Sequence, residues 1–272
     1  VKFYKATYDD PACDDAVIAG LAKRDLFFLM VFCLERQDML HPWLYARCRE
    51  VQASPDGHLD LWARDHRKSS IITAGKTIQD ILCEPEITVG IFSHTRPTAK
   101  AFLRQIKREF EQNRTLKRLF PDVLYENPHS ESPGWSEDSG IIVKRKSNPK
   151  EATVEAWGLV DGQPTSKHFK LLVYDDVVTR ESVTTPDQIA KTTAAMELSY
   201  NLGSQGGARR GIGTRYHFND TYKTLIDRKT FIPRIYPATV DGTVDGEPVL
   251  LSRSELEEKR RDMGPYTYGA QL

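Results

Sequence analysis

At 272 residues the chain is near the size at which a single hydrophobic core stops growing, so one large domain or a domain with a small appendage is expected, and a disulfide-stapled mini-protein is excluded. Hydrophobic residues make up 39% and charged residues 28%, with 38 basic side chains against 38 acidic ones, which excludes a disordered chain and leaves only local patches to favour a polyanionic partner. Cys13, Cys33, Cys48 and Cys83 form no CxxC pair, so neither a disulfide framework nor a zinc site is supported and buried thiols in a reducing compartment are expected.

The longest apolar run, Leu26 to Leu34 (LFFLMVFCL), is about half of a bilayer span and meets Glu35 and Arg36 at once, so it reads as a buried helix segment and no membrane partner is expected. Lys23 and Arg24 precede it, but it starts too far from the terminus and lacks the small-residue cleavage site of a signal peptide. The first residue is Val1, and the final stretch stops without a tail, so the sequence reads as a fragment of a longer polypeptide.

From Asp14 to Met39 apolar residues recur at helical spacing, and His41-Pro42-Trp43 opens a second helix through Val51. Ser54 to Gly57 is turn chemistry, and His58 to Ala63 (HLDLWA) alternates as a strand. A basic loop, Arg64 to Lys68, leads into a helix over Ser69 to Cys83. Ile87 to Ser93 reads as a buried strand, and Pro97 to Phe120 as an amphipathic helix with Phe102, Leu103, Ile106 and Phe110 on one face. Strands alternating with helices of this length predict a mostly parallel α/β sheet covered on both sides. Glu126 to Gly140 is rich in Ser, Pro and Gly, and Ile141 to Lys144 with Ala152 to Trp157 reads as an inserted β-hairpin. Lys170 to Tyr174 is a strand, Pro186 to Asn201 a helix, Gly203 to Gly207 a turn and Gly211 to Tyr216 a strand. Past Asp220 come a helix, a strand over Phe231 to Tyr236, and a charged helix, Ser252 to Met263, ended by Gly264-Pro265. Asp241, Asp245 and Glu247 read as turn residues among glycines rather than as a nuclease's acid cluster.

Three strand ends carry the chemistry. The first is Trp62-Ala63-Arg64-Asp65-His66-Arg67-Lys68-Ser69, between a strand and a helix, where free backbone N–H groups and the positive end of the helix dipole favour phosphate. Lys68 would reach the β and γ phosphates and Ser69 would ligate Mg²⁺. The pattern G-x-x-x-x-G-K-S/T is missed at both glycines, which are Trp62 and Arg67 here, so the segment alone also fits a basic surface loop. The second is Leu171 to Asp176 (LLVYDD), an apolar strand delivering two carboxylates at its C-terminal end, one for the Mg²⁺ shell and one to polarise an attacking water. An Asp-rich turn is the plain alternative. The third is Gly213-Thr214-Arg215-Tyr216, where a small hydroxyl could sense the γ phosphate.

The order ARDHRKSS, LLVYDD, GTRYHFND and MGPYTYGAQL resembles the large terminase subunit of tailed bacteriophages, the DNA-packaging ATPase, over nearly the whole chain. The resemblance implies a RecA-like P-loop fold of the ASCE class. It also implies a core over 1–220 with an N-terminal helical extension, and a lid or linker subdomain over 221–272 that leads in family members to a metal-dependent nuclease domain. Arg64 is similar to the family's early loop cation, Lys68 and Ser69 to its Walker A lysine and hydroxyl, and Asp175 to the Walker B acid. Asp176 stands where a catalytic Glu is usual, and Gly213-Thr214-Arg215 is similar to the coupling motif. ATP and Mg²⁺ are the implied cofactors, with Asp65, His66, Arg67 and Ser70 completing the phosphate loop and Trp43, Tyr45 and Gln52 at the adenine. For an arginine finger reaching a neighbour's site the candidates are Arg145, favoured, with Lys146, Lys167 and His168. The implied partners are double-stranded DNA, the portal protein, the small terminase subunit and further copies in a ring, a pentamer on the procapsid, within the host cytoplasm. Lys144, Arg145, Lys146, Lys150, Arg209 and Arg210 are candidate contacts to the DNA backbone. A helicase-like ATPase and a module that binds nucleotide or DNA without hydrolysis are the alternatives.

Overall fold

The computed structural model describes residues 2–10 and 12–272. Its centre is an eight-stranded sheet built from β1 (His58–Trp62), β2 (Val89–Ser93), β3 (Trp135–Ser136), β4 (Gly140–Ile141), β5 (Val154–Gly158), β6 (Phe169–Asp175), β7 (Gly203–Gly213) and β8 (Ile232–Tyr236). The spatial order is β3-β4-β5-β2-β6-β7-β1-β8, with β3 and β4 antiparallel at one edge and the other strands parallel. β7 separates β1 from β6, which makes the fold RecA-like and brings the first and second chemical motifs to the same end of the sheet, one strand apart.

The apolar run of β6 shows why the sheet is covered on both sides. Leu171 and Val173 enter one core with Ile71, Ile78, Leu103, Ile106 and Phe110, whereas Leu172 and Tyr174 enter another with Met196, Tyr222 and Leu225. The first face carries the helical segment following β1 and the helix Arg96–Gln112, overlaid by the N-terminal helices. The second face carries the helices Pro186–Ser199 and Thr221–Asp227. No described helix is long and apolar enough to cross a membrane.

The expected continuous helix from Asp14 to Met39 is interrupted at Asp25. This residue is extended (φ −134°), closes the helix Asp15–Arg24, and accepts a hydrogen bond from the Phe28 backbone at 2.9 Å to cap the next one. The chain continues through a π-helical turn, Leu29–Cys33. The expected hairpin is shorter than its apolar pattern: Ile141 pairs with Val154, but Val143 and Lys144 turn their N–H groups to the Thr153 hydroxyl and the Val123 carbonyl. Gly203–Gly207 forms a bulge inside β7 instead of a turn before it, since Gly203 pairs with Phe169 and the ladder resumes with Ala208 opposite Leu171. The sheet also runs past the boundary expected after residue 220. β8 pairs with β1 along all five residues, so the chain beyond the last strand begins at residue 237.

At the end of β7 a glycine is sterically required. A Cβ on Gly213 would lie 2.1 Å from the Tyr222 hydroxyl and 2.4 Å from its ring, and Tyr222 is wholly buried. Gly213→Ala is expected to destabilise the chain by about 1–3 kcal/mol in urea unfolding, because the ring has nowhere to retreat; an unchanged midpoint would show that the ring can move.

Candidate functional site

The loop after β1 has the shape that phosphate loops give to glycine. Asp65 (φ 66°) and Arg67 (φ 61°) are both left-handed, and Arg67 occupies the position of the missing second glycine. The other missing glycine, Trp62, is the last residue of β1 and needs no special conformation. An L-residue in this region costs roughly 1–2 kcal/mol, so the loop must be held by its surroundings. Asp65 accepts from Lys259 Nζ at 2.6 Å, which holds its carboxyl below the usual range, and Arg67 Nε lies 3.3 Å from Asp38. The Arg64 N–H donates to the Gln271 carbonyl at 2.8 Å. His66 is fully buried edge-on to Trp43, with Nδ1 2.9 Å from the Arg64 carbonyl, to which it donates; burial lowers its pKa.

The helix then begins at Lys68, is π-helical over Ser70–Lys76 and α-helical over Thr77–Cys83. Its first N–H groups precede any intrahelical partner and face the cleft end. Lys68 is 8% exposed; burial holds its ammonium below its ordinary value, and the carboxylates of Asp176 and then Asp175 oppose that shift. Ser69 Oγ donates to Asp175 Oδ1 at 3.1 Å across 106 residues of sequence, and Thr73 Oγ1 donates to Oδ2. Asp175 is fully buried, and burial, with Asp176 beside it, pushes its carboxyl well above the usual carboxylate range. Asp176 is again left-handed (φ 51°), and its N–H donates to the Ile212 carbonyl at 3.1 Å. Arg64, Asp65, Arg67, Lys68, Ser69, Ser70, Asp176 and Thr214 line one cleft of about 240 Å³, with room for a polyphosphate and a cation rather than a whole nucleotide.

Other residues singled out from the sequence have different surroundings. Gln52 does not line the cleft: its amide accepts from the Leu26 N–H and donates to the Arg24 carbonyl, tying two N-terminal helices together. Tyr45 packs edge-on to Phe27, while Trp43 stands beside the loop against Trp62, His66 and Tyr236. Arg210 is not a surface cation. It is buried and paired with Asp80 at 2.6 Å and Asp56 at 3.0 Å. Arg209 lies over the Tyr200 ring, and Lys144 donates to the Pro121 carbonyl. Arg145 is half-buried among loops at the end of the sheet opposite the cleft, donating to Pro149 at 3.3 Å; Lys146 is held there through its backbone by Glu86. Lys167 donates to Glu155 and to the Lys150 carbonyl, Lys150 Nζ to Ser166, and the His168 N–H to Glu151. Asp241 closes its own turn through Thr243, and no group of three metal-ligating side chains exists among the described residues.

No family model matches the sequence, and no curated protein does. Among solved structures the chain is similar to the large terminase ATPase domain of Thermus phage P74-26. A point mutant of that domain matches at 14% identity and a TM-score of 0.49 over 82% of this chain and 90% of that one. The unmutated domain matches at 13% identity and a TM-score of 0.48, over 82% and 92%. A likeness at this distance describes the path of the chain and assigns no residue a role.

Sequence reasoning missed Thr73, Lys259 and Gln271. Thr73 carried a usable signal, four residues beyond Ser69 on the same helix face, whereas the other two reach the loop only through the folded C-terminal segment. The donor set of Ser69, Asp175 and Asp176 is all oxygen. That suits a small hard cation such as Mg²⁺, which takes one or two protein ligands and completes its shell with phosphate and water.

Two measurements follow from this geometry. Arg67→Gly should change stability by no more than about 1 kcal/mol, relief of strain offsetting lost backbone restriction, whereas Arg67→Val, β-branched at a left-handed position, should cost more than Arg67→Gly in the same urea titration. Equal losses would mean that the left-handed turn is not maintained. Because burial and the neighbouring Asp176 disfavour a charge on Asp175, Asp175→Asn should raise the thermal midpoint of the ligand-free chain by about 2 °C or more; a fall would show the acid to be net stabilising.

Proposed function

We propose that this chain is the ATP-hydrolysing motor domain of a viral DNA-packaging terminase, coupling hydrolysis to the movement of double-stranded DNA into a procapsid. One observation carries the reading: Lys68 and Ser69, after β1, line one cleft with Asp176, after β6, and Ser69 donates to the buried Asp175 directly behind it, despite their distance in sequence. The sequence resemblance to terminase large subunits supplies the biological setting.

In this mechanism the N–H groups at the start of the helix and the Lys68 ammonium bind the β and γ phosphates. A polyanion next to Lys68 favours its charged form, opposing the effect of burial. Ser69 and Asp175 would hold Mg²⁺, which would supply positive charge against the phosphates. Asp176, aimed into the cleft by its left-handed backbone, orients and deprotonates the attacking water. Its side chain is shorter than the usual Glu, so the water stands closer to the end of β6. Thr214, on the cleft wall at the end of β7, registers loss of the γ phosphate. Arg64 adds positive charge from within the chain, and Arg145, far from its own cleft, is the cation offered to a neighbouring copy in a ring. Trp43 is placed to pack against the base. DNA backbone, portal protein and small subunit are the proposed partners, in the cytoplasm of the infected host.

The test is phosphate release from ATP and Mg²⁺, with and without double-stranded DNA, at protein concentrations that favour assembly. Lys68→Ala and Asp176→Asn should each lower turnover by about 100-fold or more. Wild-type turnover in both variants would remove the assignment, and nucleotide binding without any release by the wild-type chain would establish the non-hydrolysing alternative.

A further inference from the structure

The two hydroxyls on Asp175 occupy different positions. Ser69, on Oδ1, lines the cleft; Thr73, on Oδ2, is wholly buried behind it, four residues further along the helix. Each hydroxyl has one proton to donate. A cation in the cleft would meet a Ser69 lone pair while the Ser69 proton stays on Oδ1, so the pairing of Ser69 with Oδ1 depends on how the carboxylate is held at Oδ2. Thr73 does not border the cleft and keeps its bond to Oδ2 in either state.

We propose that Thr73 is the positioning residue of the cation site: by holding Oδ2 from behind, it keeps Oδ1 turned to Ser69, the hydroxyl that lines the cleft. The inference rests on the nucleotide and Mg²⁺ reading above. Without this hydroxyl the carboxylate can rotate about its Cβ–Cγ bond, and the outer partner of the site is lost. A purely structural Thr73 would matter only through its methyl group and volume. Thr73→Val keeps the shape and removes the hydroxyl, Thr73→Ser does the reverse, and Thr73→Ala removes both.

The experiment measures ADP binding to the whole chain by calorimetry, with Mg²⁺ titrated against a fixed chelator baseline, after circular dichroism has shown the variants to be folded. For Thr73→Val and Thr73→Ala the Mg²⁺ concentration giving half-maximal enhancement of binding should rise by about 10–100-fold. ADP affinity in the chelator should be unchanged, and Thr73→Ser should behave as wild type. An unshifted Mg²⁺ requirement in Thr73→Val, or an equal shift in Thr73→Ser, overturns the positioning role while leaving the nucleotide reading intact. A wild-type chain that binds no ADP under either condition overturns both.

Discussion

A carboxylate with no solvent exposure at the end of β6 is the constraint to which the rest of this structure answers. Placing an ion there costs several kcal/mol, and no cation of the chain lies within hydrogen-bond reach of Asp175 among the described residues. Two hydroxyls from the helix after β1 offset part of that cost, at about 1.5–3 kcal/mol for each bond to a charged group. Both hydroxyls are fixed by the strand order. β7, inserted between β1 and β6, sets the spacing at which a helix rising from β1 crosses over the end of β6. A carboxylate so placed disfavours its charge, and burial with Asp176 beside it pushes its carboxyl above the usual carboxylate range.

The loop that would face such a ligand is itself held from a distance. Its two left-handed residues are unfavourable locally; Arg67 is held by Asp38 from the N-terminal region, and the rest of the loop by the C-terminal segment, through Lys259 on Asp65, the Gln271 carbonyl on the Arg64 N–H, and a small apolar core of Ala63, Ala238 and Leu256. The final turns reach the loop because the last helix breaks at Gly264 (φ 71°), next to Pro265, and resumes in a new direction. The Leu272 carbonyl then accepts from Ala238 at 2.7 Å, closing the segment onto the chain that leaves β8. Loop geometry and C-terminal segment are therefore one mechanical unit, and a ligand that displaces Asp65 must also act on Lys259.

Much of this was legible in the sequence because strand ends in an α/β sheet are local features. An apolar run ending in Asp175-Asp176, and a basic loop followed by Ser69, announce themselves without knowledge of the tertiary fold. The glycine pattern asks for a residue type, whereas the loop shows a conformation, and Arg67 adopts it at a cost met elsewhere. Gln52 shows what the sequence leaves open, since a polar side chain upstream of the loop fits an adenine contact, and in the fold its amide also joins two helix ends. Arg210 was indistinguishable from a surface charge because its partners, Asp56 and Asp80, lie 154 and 130 residues away. The place of β8 was equally hidden, since its pairing with β1 is decided by the whole sheet rather than by its five residues.

The end of β7 explains why a glycine precedes the hydroxyl residue at the cleft. The Ile212 carbonyl accepts from the Asp176 N–H and, at 3.5 Å, from the Tyr222 hydroxyl, which in turn accepts from the Val178 N–H at 3.4 Å. Tyr222 can sit there only because Gly213 has no side chain. Thr214 is thus joined by two covalent steps to the carbonyl that fixes Asp176, and the helix Thr221–Asp227 enters the same arrangement through Asp220, which caps it and accepts from Arg215 at 3.2 Å. A backbone shift at Asp176 cannot occur without disturbing a bond to Ile212 or the seat of Tyr222. The same bonds tie the cleft end of β6 to the second face of the sheet, where the helices Pro186–Ser199 and Thr221–Asp227 pack.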